Sequence, residues 1–162
     1  MPIYIHPAIL PAPLAVCEGY PLGDAVWGWS FETGAHALRV IMAGVSDRFP
    51  GAKLIVGHMG ELLPFNLARI DDRYDFYEAN PPIAHPPSWY VKHNMYVTTS
   101  GVNDAAPLLC TQLVLGGDRI MFAVDYPYQR NEDAVAFIDG VTLSDTDRAL
   151  ICHGNAERVL KL

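Results

Sequence analysis

A chain of 162 residues is long enough for one domain with its own apolar core. The net charge is −7 and no lysine-arginine run occurs, so the footprint of a nucleic-acid or anionic-membrane binder is absent. Three scattered cysteines, Cys17, Cys110 and Cys152, form no C-x-x-C pair; they argue against a disulfide framework and point to a reducing cytoplasm. No apolar run reaches about 18 residues, so no membrane span is expected.

The chain opens without a basic leader or a long apolar stretch. It enters a strand pattern, Pro2 to His6, at once, which leads one to expect further sequence upstream. The Pro/Gly-rich stretch Pro7 to Gly28 follows as a loop, then a helical pattern from Thr33 to Phe49 that stops before Pro50-Gly51. Lys53 to His58 is the second strand, and Leu62 to Tyr77 a helix with an apolar stripe through Leu67, Ile70, Tyr74 and Tyr77. A proline-rich connection, Asn80 to Ser88, leads toward the third strand, Met95 to Thr99. The helix Asn103 to Leu115 then ends at Gly116-Gly117. Arg119 to Asp125 is the fourth strand. Helical patterns close the chain at Asn131 to Ile138, Ser144 to Cys152 and Asn155 to Leu160, with Ser144-Asp145-Thr146-Asp147 as a capping cluster.

The strands are short, nearly continuous in apolar character and separated by helices. That pattern, in a chain that is 51% hydrophobic, predicts a parallel sheet with right-handed crossovers. Four β/α units are either a small doubly wound sheet or half of a (β/α)8 barrel, whose full length is about 250 residues. His6-Pro7-Ala8 is not the glycine-rich phosphate loop a doubly wound fold would place after its first strand. His6, His58 and Asp125 end three of the four strands, where barrel enzymes keep their chemistry, so the C-terminal half of a (β/α)8 barrel is expected.

Imidazole and carboxylate at one rim suit a divalent ion such as zinc or manganese. Gly57 and Gly60 flank His58 and allow a tight strand-to-helix turn. Glu61 lies close enough in sequence to orient the imidazole, or else complements the following helix N-terminus. Trp27, Trp29 and Phe31 are expected before the first helix, as pocket lining or as core. His36, His85, His93 and His153 have no histidine or acid two residues on along a strand and read as structural or solvent-exposed.

Gly57-His58-Met59-Gly60-Glu61, Arg69-x-Asp71, Asp118-Arg119-Ile120 running to Val124-Asp125-Tyr126-Pro127, and Gly154-Asn155-Ala156-x-Arg158-Val159-Leu160 together resemble the amidohydrolase-related decarboxylases, over the whole chain. The His-Met-Gly-Glu turn resembles the γ-resorcylate and 2,3-dihydroxybenzoate branch. The resemblance implies a metal-dependent, non-oxidative decarboxylase of a hydroxylated aromatic acid, or a hydrolase or hydratase built on the same site. It implies one zinc or manganese ion held by His6 and Asp125, with His58 as ligand or catalytic group. It also implies that Glu61 supports His58, that Asp125 is the acid that protonates the ring carbon, and that Arg69 approaches the substrate carboxylate. The Glu-x-His or His-x-His pair of the family's first barrel strand is absent. A catalytically incompetent fragment, or a subunit that needs a partner, is therefore the alternative. Open apolar sheet edges point to a homo-oligomer.

Overall fold

The computed structural model describes residues 1–8, 19–77 and 81–162; Cys17 and much of the loop after His6 lie outside them. Four parallel strands form one sheet in the order β1 (Ile3–Ile5), β2 (Leu54–Val56), β3 (Met95–Thr98) and β4 (Ile120–Met121). Each strand is followed by helix, as the sequence predicts. The helices are α1 (Gly28–Met42), α2 (Val45–Arg48), α3 (Leu63–Phe76), α4 (Pro87–Asn94), α5 (Ala105–Leu115), α6 (Asn131–Gly140), α7 (Asp145–Ala149) and α8 (Asn155–Leu160). This arrangement, in sequential strand order, is half of a (β/α)8 barrel.

Strand alternation divides the core in two. Leu54, Val56, Met95, Val97 and Ile120 point toward the helices and pack with Ile41, Leu67, Val91, Leu108 and Ile151. Ile55, Tyr96 and Met121 point to the opposite face, which would be the barrel lumen, and meet Ala156 and Val159 of α8. Each fully buried aliphatic side chain contributes about 1.5–3 kcal/mol, so the outer cluster dominates stability. Asn155, wholly buried, fastens α8 to the sheet by donating its amide to the carbonyls of Gly117 (2.8 Å) and Ile120 (2.7 Å). Arg158 donates to Asp118 O and to Asn155 Oδ1. The Asn155-x-x-Arg158 motif is thus a structural clasp.

Several boundaries differ from expectation for identifiable reasons. The first helix starts at Gly28, takes in Trp29 and Phe31, and breaks at Gly44 (φ 69°) before α2. Trp27 and Phe31 are about half exposed, so neither is a core filler. The proline-rich connection ends in a helix, α4, where the sequence suggests loop: Pro86 and Pro87 occupy its N-cap and first turn, where the missing N–H is no loss. Asp71 accepts a hydrogen bond from Ser88 N at that same end (2.9 Å). β4 is shorter than the expected Arg119 to Asp125 because Phe122 N turns away to Ile151 O. None of the described helices is long and apolar enough to cross a membrane.

Candidate active site at the strand ends

β2 ends at Val56, and the chain turns sharply through the 3-10 segment His58–Gly60 into α3. His58 (φ 49°), Met59 (56°), Glu61 (51°) and Leu62 (67°) all sit in the left-handed region. Such geometry costs about 1–2 kcal/mol per L-residue and persists only where surrounding contacts impose it. Asp125 (φ 78°) is the same kind of exception, four residues past β4 and followed by a cis Tyr126–Pro127 bond. Five of the six non-glycine residues with positive φ in the described residues are therefore at these two turns. Backbone strain gathers where the chemistry is expected.

The strained turns bring His58 and Asp125 together: Nε2 and Oδ2 stand 3.7 Å apart, both side chains about a quarter exposed. On its other side, His58 Nδ1 meets Glu61 Oε1 at 2.5 Å. Glu61 is buried, and its Oε2 has no hydrogen-bond partner among the described residues. The carboxylate thus relies on the imidazole, and its hydrogen bond raises the His58 pKa above the ordinary 6.5; burial opposes this, and the Glu61 and Asp125 charges add to it. A group whose folded pKa is raised stabilises the fold fully below its unfolded value and loses that contribution as pH rises through the folded value. In the metal-free protein, Glu61→Gln is expected to bring the His58 titration back toward 6.5. The wild-type advantage in melting temperature should be full below about pH 6.5 and shrink above it. An imidazole-resolved NMR titration alongside melts measures both, and an unmoved His58 titration would refute the pairing.

Asp125 is carried into place by the segment that follows β3. Thr99 Oγ1 donates to Ala123 O (2.9 Å) and accepts from Ala123 N (3.0 Å), so a side chain continues the ladder where β4 has ended. Gly101 N reaches Val124 O at 3.4 Å, one residue before Asp125. Gly101 itself has φ 69°, and a Cβ there would lie 2.7 Å from His58 Cδ2 and 3.3 Å from Asp125 Oδ2. The gap between the imidazole and the carboxylate depends on that missing side chain. Gly57, by contrast, has an ordinary φ of −70°; its value is space, not conformation.

Not every expected residue joins this pair. His6 is exposed after β1, with Nδ1 2.8 Å from Pro7 O, and lines a hollow with Tyr4 and α1 residues Glu32 and His36. Among the described residues, no three His, Cys, Asp or Glu side chains converge as a metal set. Arg69 is exposed and lines a cavity of about 360 Å³ between α1 and α3, with Arg73, Phe31 and Glu61. His58 opens instead on a cavity of about 490 Å³ between α3 and α5, lined also by Leu62, Phe65, Val102 and Cys110. The remaining histidines are placed as structural or exposed groups: His85 and His93 sandwich Trp89 (4.0 and 4.2 Å), while His36 and His153 are exposed beside glutamates. Thr98, Thr99, Ser100 and Gly101 shape the site yet carry no sequence signal beyond their place after a strand.

A parallel half-barrel with a histidine-carboxylate pair past its strand ends has the layout of half of a (β/α)8 barrel, with its polar groups gathered at the C-terminal rim. The family model for amidohydrolases (Amidohydro_2) matches residues 1–162, and the chain belongs to that family. It is 36% identical to the γ-resorcylate decarboxylase of Polaromonas sp. strain JS666, over all of this chain and 51% of that protein. Its structure matches the 2,6-dihydroxybenzoate decarboxylase from Rhizobium with a TM-score of 0.92 and 34% identity, covering 99% of this chain and 51% of that one. A dihydroxybenzoic acid decarboxylase from Polaromonas sp. JS666, solved with bound manganese and the inhibitor 2-nitroresorcinol, matches at 0.91 and 34%, covering 99% and 50%. The chain spans about half the length of the relatives it matches.

Proposed function

We propose that the chain supplies the His58–Asp125 half of the site of a metal-dependent, non-oxidative decarboxylase acting on a hydroxylated aromatic acid. The observation that carries this reading is the facing of His58 Nε2 and Asp125 Oδ2 across the gap left by Gly101. The donor set fits a divalent ion: Glu61 occupies Nδ1 of His58, leaving Nε2 as the free nitrogen, and a part-exposed carboxylate oxygen faces it. Asp125 and His58 would hold zinc or manganese; His6, just after the neighbouring β1, would complete the set only by turning out of the hollow it shares with Glu32 and His36. A bound ion would act as Lewis acid on the substrate carboxylate and its ortho hydroxyl.

The protein's own groups then move the proton. Asp125 in its acid form protonates the ring carbon that bears the carboxylate; the C–C bond breaks, its electron pair restores the aromatic ring, and carbon dioxide leaves. His58 serves either as a ligand through Nε2 or, where Nε2 carries no ion, as the group that returns the proton to the facing oxygen of Asp125, kept basic by Glu61. Arg69 lines a different cavity, between α1 and α3, and its guanidinium would reach the substrate carboxylate only by leaving it.

Incubating the purified chain with Mn²⁺ or Zn²⁺ and 2,6-dihydroxybenzoate tests this reading. Expected are about one ion per chain and metal-dependent release of carbon dioxide. Bound metal with no decarboxylation of any ortho-hydroxybenzoate would overturn the reaction; absence of metal binding would overturn the site.

The sheet ends in two strands that each have one neighbour among the described residues, and Ile3 and Tyr4 of β1 are about half exposed. Unpaired parallel edges with apolar residues favour association. A homo-oligomer is therefore expected for the isolated chain by light scattering; a monodisperse monomer with a cooperative melt would contradict it.

A further inference from the structure

Three hydroxyls meet on the lumen side of the sheet, directly beneath the His58 turn. Tyr4 of β1 and Thr98 of β3 approach each other at 3.2 Å from Oη to Oγ1, and Thr98 Oγ1 lies 2.8 Å from Ser100 Oγ. Ser100 Oγ accepts the backbone N–H of His58 at 3.4 Å. Thr98 and Ser100 are almost completely buried. The cluster fits into a space kept clear by Gly57: a Cβ there would lie 3.3 Å from Ser100 Oγ, 3.4 Å from the Tyr4 hydroxyl and 3.9 Å from Thr98 Oγ1. Buried hydroxyls without apolar replacements, around a glycine whose φ is unexceptional, need a reason beyond packing.

The geometry points to a positioning relay: we propose that Tyr4, Thr98 and Ser100 act through the His58 amide to fix the imidazole opposite Asp125. His58 and Met59 occupy a conformation that the backbone does not favour, so the turn must be held from outside itself. Two of its own bonds, Gly60 N to Gly57 O (2.7 Å) and Glu61 N to His58 O (3.3 Å), close the turn without anchoring it to the sheet. Ser100 provides that anchor. Thr98 orients the Ser100 hydroxyl by hydrogen bonding to it, and Tyr4 completes the chain; hydrogen bonds in series polarise and stiffen one another. Tyr4 of β1 also stands two residues before His6, which follows the strand at once, and the two line the same hollow. The relay thereby ties β1, which leads directly into His6, to the turn that bears His58, which is the registration a shared site requires. No residue of the relay touches the reacting groups; it acts by placement.

The inference rests on the proposed decarboxylase site for its purpose, but its geometry can be tested separately. In the full chain, Ser100→Ala, Thr98→Val and Tyr4→Phe are compared with wild type by amide hydrogen exchange and Zn²⁺ titration. Ser100→Ala is expected to lower protection of the His58 amide about tenfold, the loss of one modest hydrogen bond. Thr98→Val and Tyr4→Phe should lower it less. Zn²⁺ affinity should fall several-fold in the same order, and in an active protein kcat should fall with KM little changed. Thr98→Ser restores the hydroxyl and should restore both readouts, which a purely structural role for Thr98 would not require. Should Ser100→Ala fold poorly, Tyr4→Phe, at a half-exposed position, gives the same test. Unchanged His58 protection and unchanged Zn²⁺ affinity in all three variants would overturn the relay, even if the wild type decarboxylates. Loss of protection in a chain that releases no carbon dioxide would sustain the relay and sink the decarboxylase reading instead.

Discussion

On the proposed decarboxylase reading, Asp125→Asn is expected to remove turnover almost entirely, lowering kcat/KM by about 10³-fold, within the range general acid catalysis contributes. The amide keeps the size of the carboxylate, so the left-handed turn at Asp125 and its backbone bonds to Tyr128 N and Gln129 N should survive. Asparagine is also among the residues that tolerate that φ best. What disappears is the proton and the negative charge facing His58 Nε2. Two readouts follow: divalent-ion affinity should fall, and the His58 pKa should drop, because the Asp125 charge helps to raise it. The melting temperature should change little. A variant with wild-type kcat/KM would remove Asp125 from the chemistry altogether.

The fold was legible because its signals are strong and redundant. Four short apolar runs and the helices between them specify a parallel sheet through periodicity and length alone; the choice of a half-barrel, and with it the sequential order β1-β2-β3-β4, rests on the polar residues at the strand ends. What escaped was local. Pro86-Pro87 reads as a breaker in a linear scan, although proline is well suited to a first helical turn; only Asp71, sixteen residues earlier than Pro87, and the burial of Tyr90 and Val91 explain why a helix forms there. The end of β4 was overestimated for a related reason. The run to Asp125 is apolar throughout, but its last residues are held by Thr99 and Ile151 in place of a neighbouring strand.

The site was legible only where side chains themselves bear chemistry. His58, Glu61 and Asp125 stand out as residue types at strand ends, and the structure brings these three together. His6 stands out in the same way, at a strand end, yet lies in a hollow with β1 and α1; Arg69 is suggested by resemblance alone and lines a different cavity from His58. The supports were invisible for a physical reason. Ser100, Thr98 and Thr99 are short hydroxyl residues whose importance depends on partners 24 to 94 positions away, and no spacing rule reaches that far. Gly101 is subtler still, since its contribution is an absence of atoms.

That absence makes Gly101→Ala the sharpest probe of the pair. One methyl group would sit 2.7 Å from His58 Cδ2 and 3.2 Å from Nε2, closer than carbon and nitrogen normally approach. The backbone there has φ 69°, so alanine also meets a left-handed conformation costing about 1–2 kcal/mol. Neither neighbour can yield freely: the imidazole is held by Glu61 at 2.5 Å, and Asp125 is fixed by its own strained turn. His58 must therefore tilt away from Asp125, and a displacement of that order is enough to lower kcat/KM by about 10²-fold. Zn²⁺ or Mn²⁺ affinity should fall with it, while the melting temperature falls by only a few degrees, as the backbone strain alone would give. Alanine at 101 with undiminished metal binding and turnover would mean that the imidazole works from another position, and that the facing of His58 and Asp125 is incidental to the reaction.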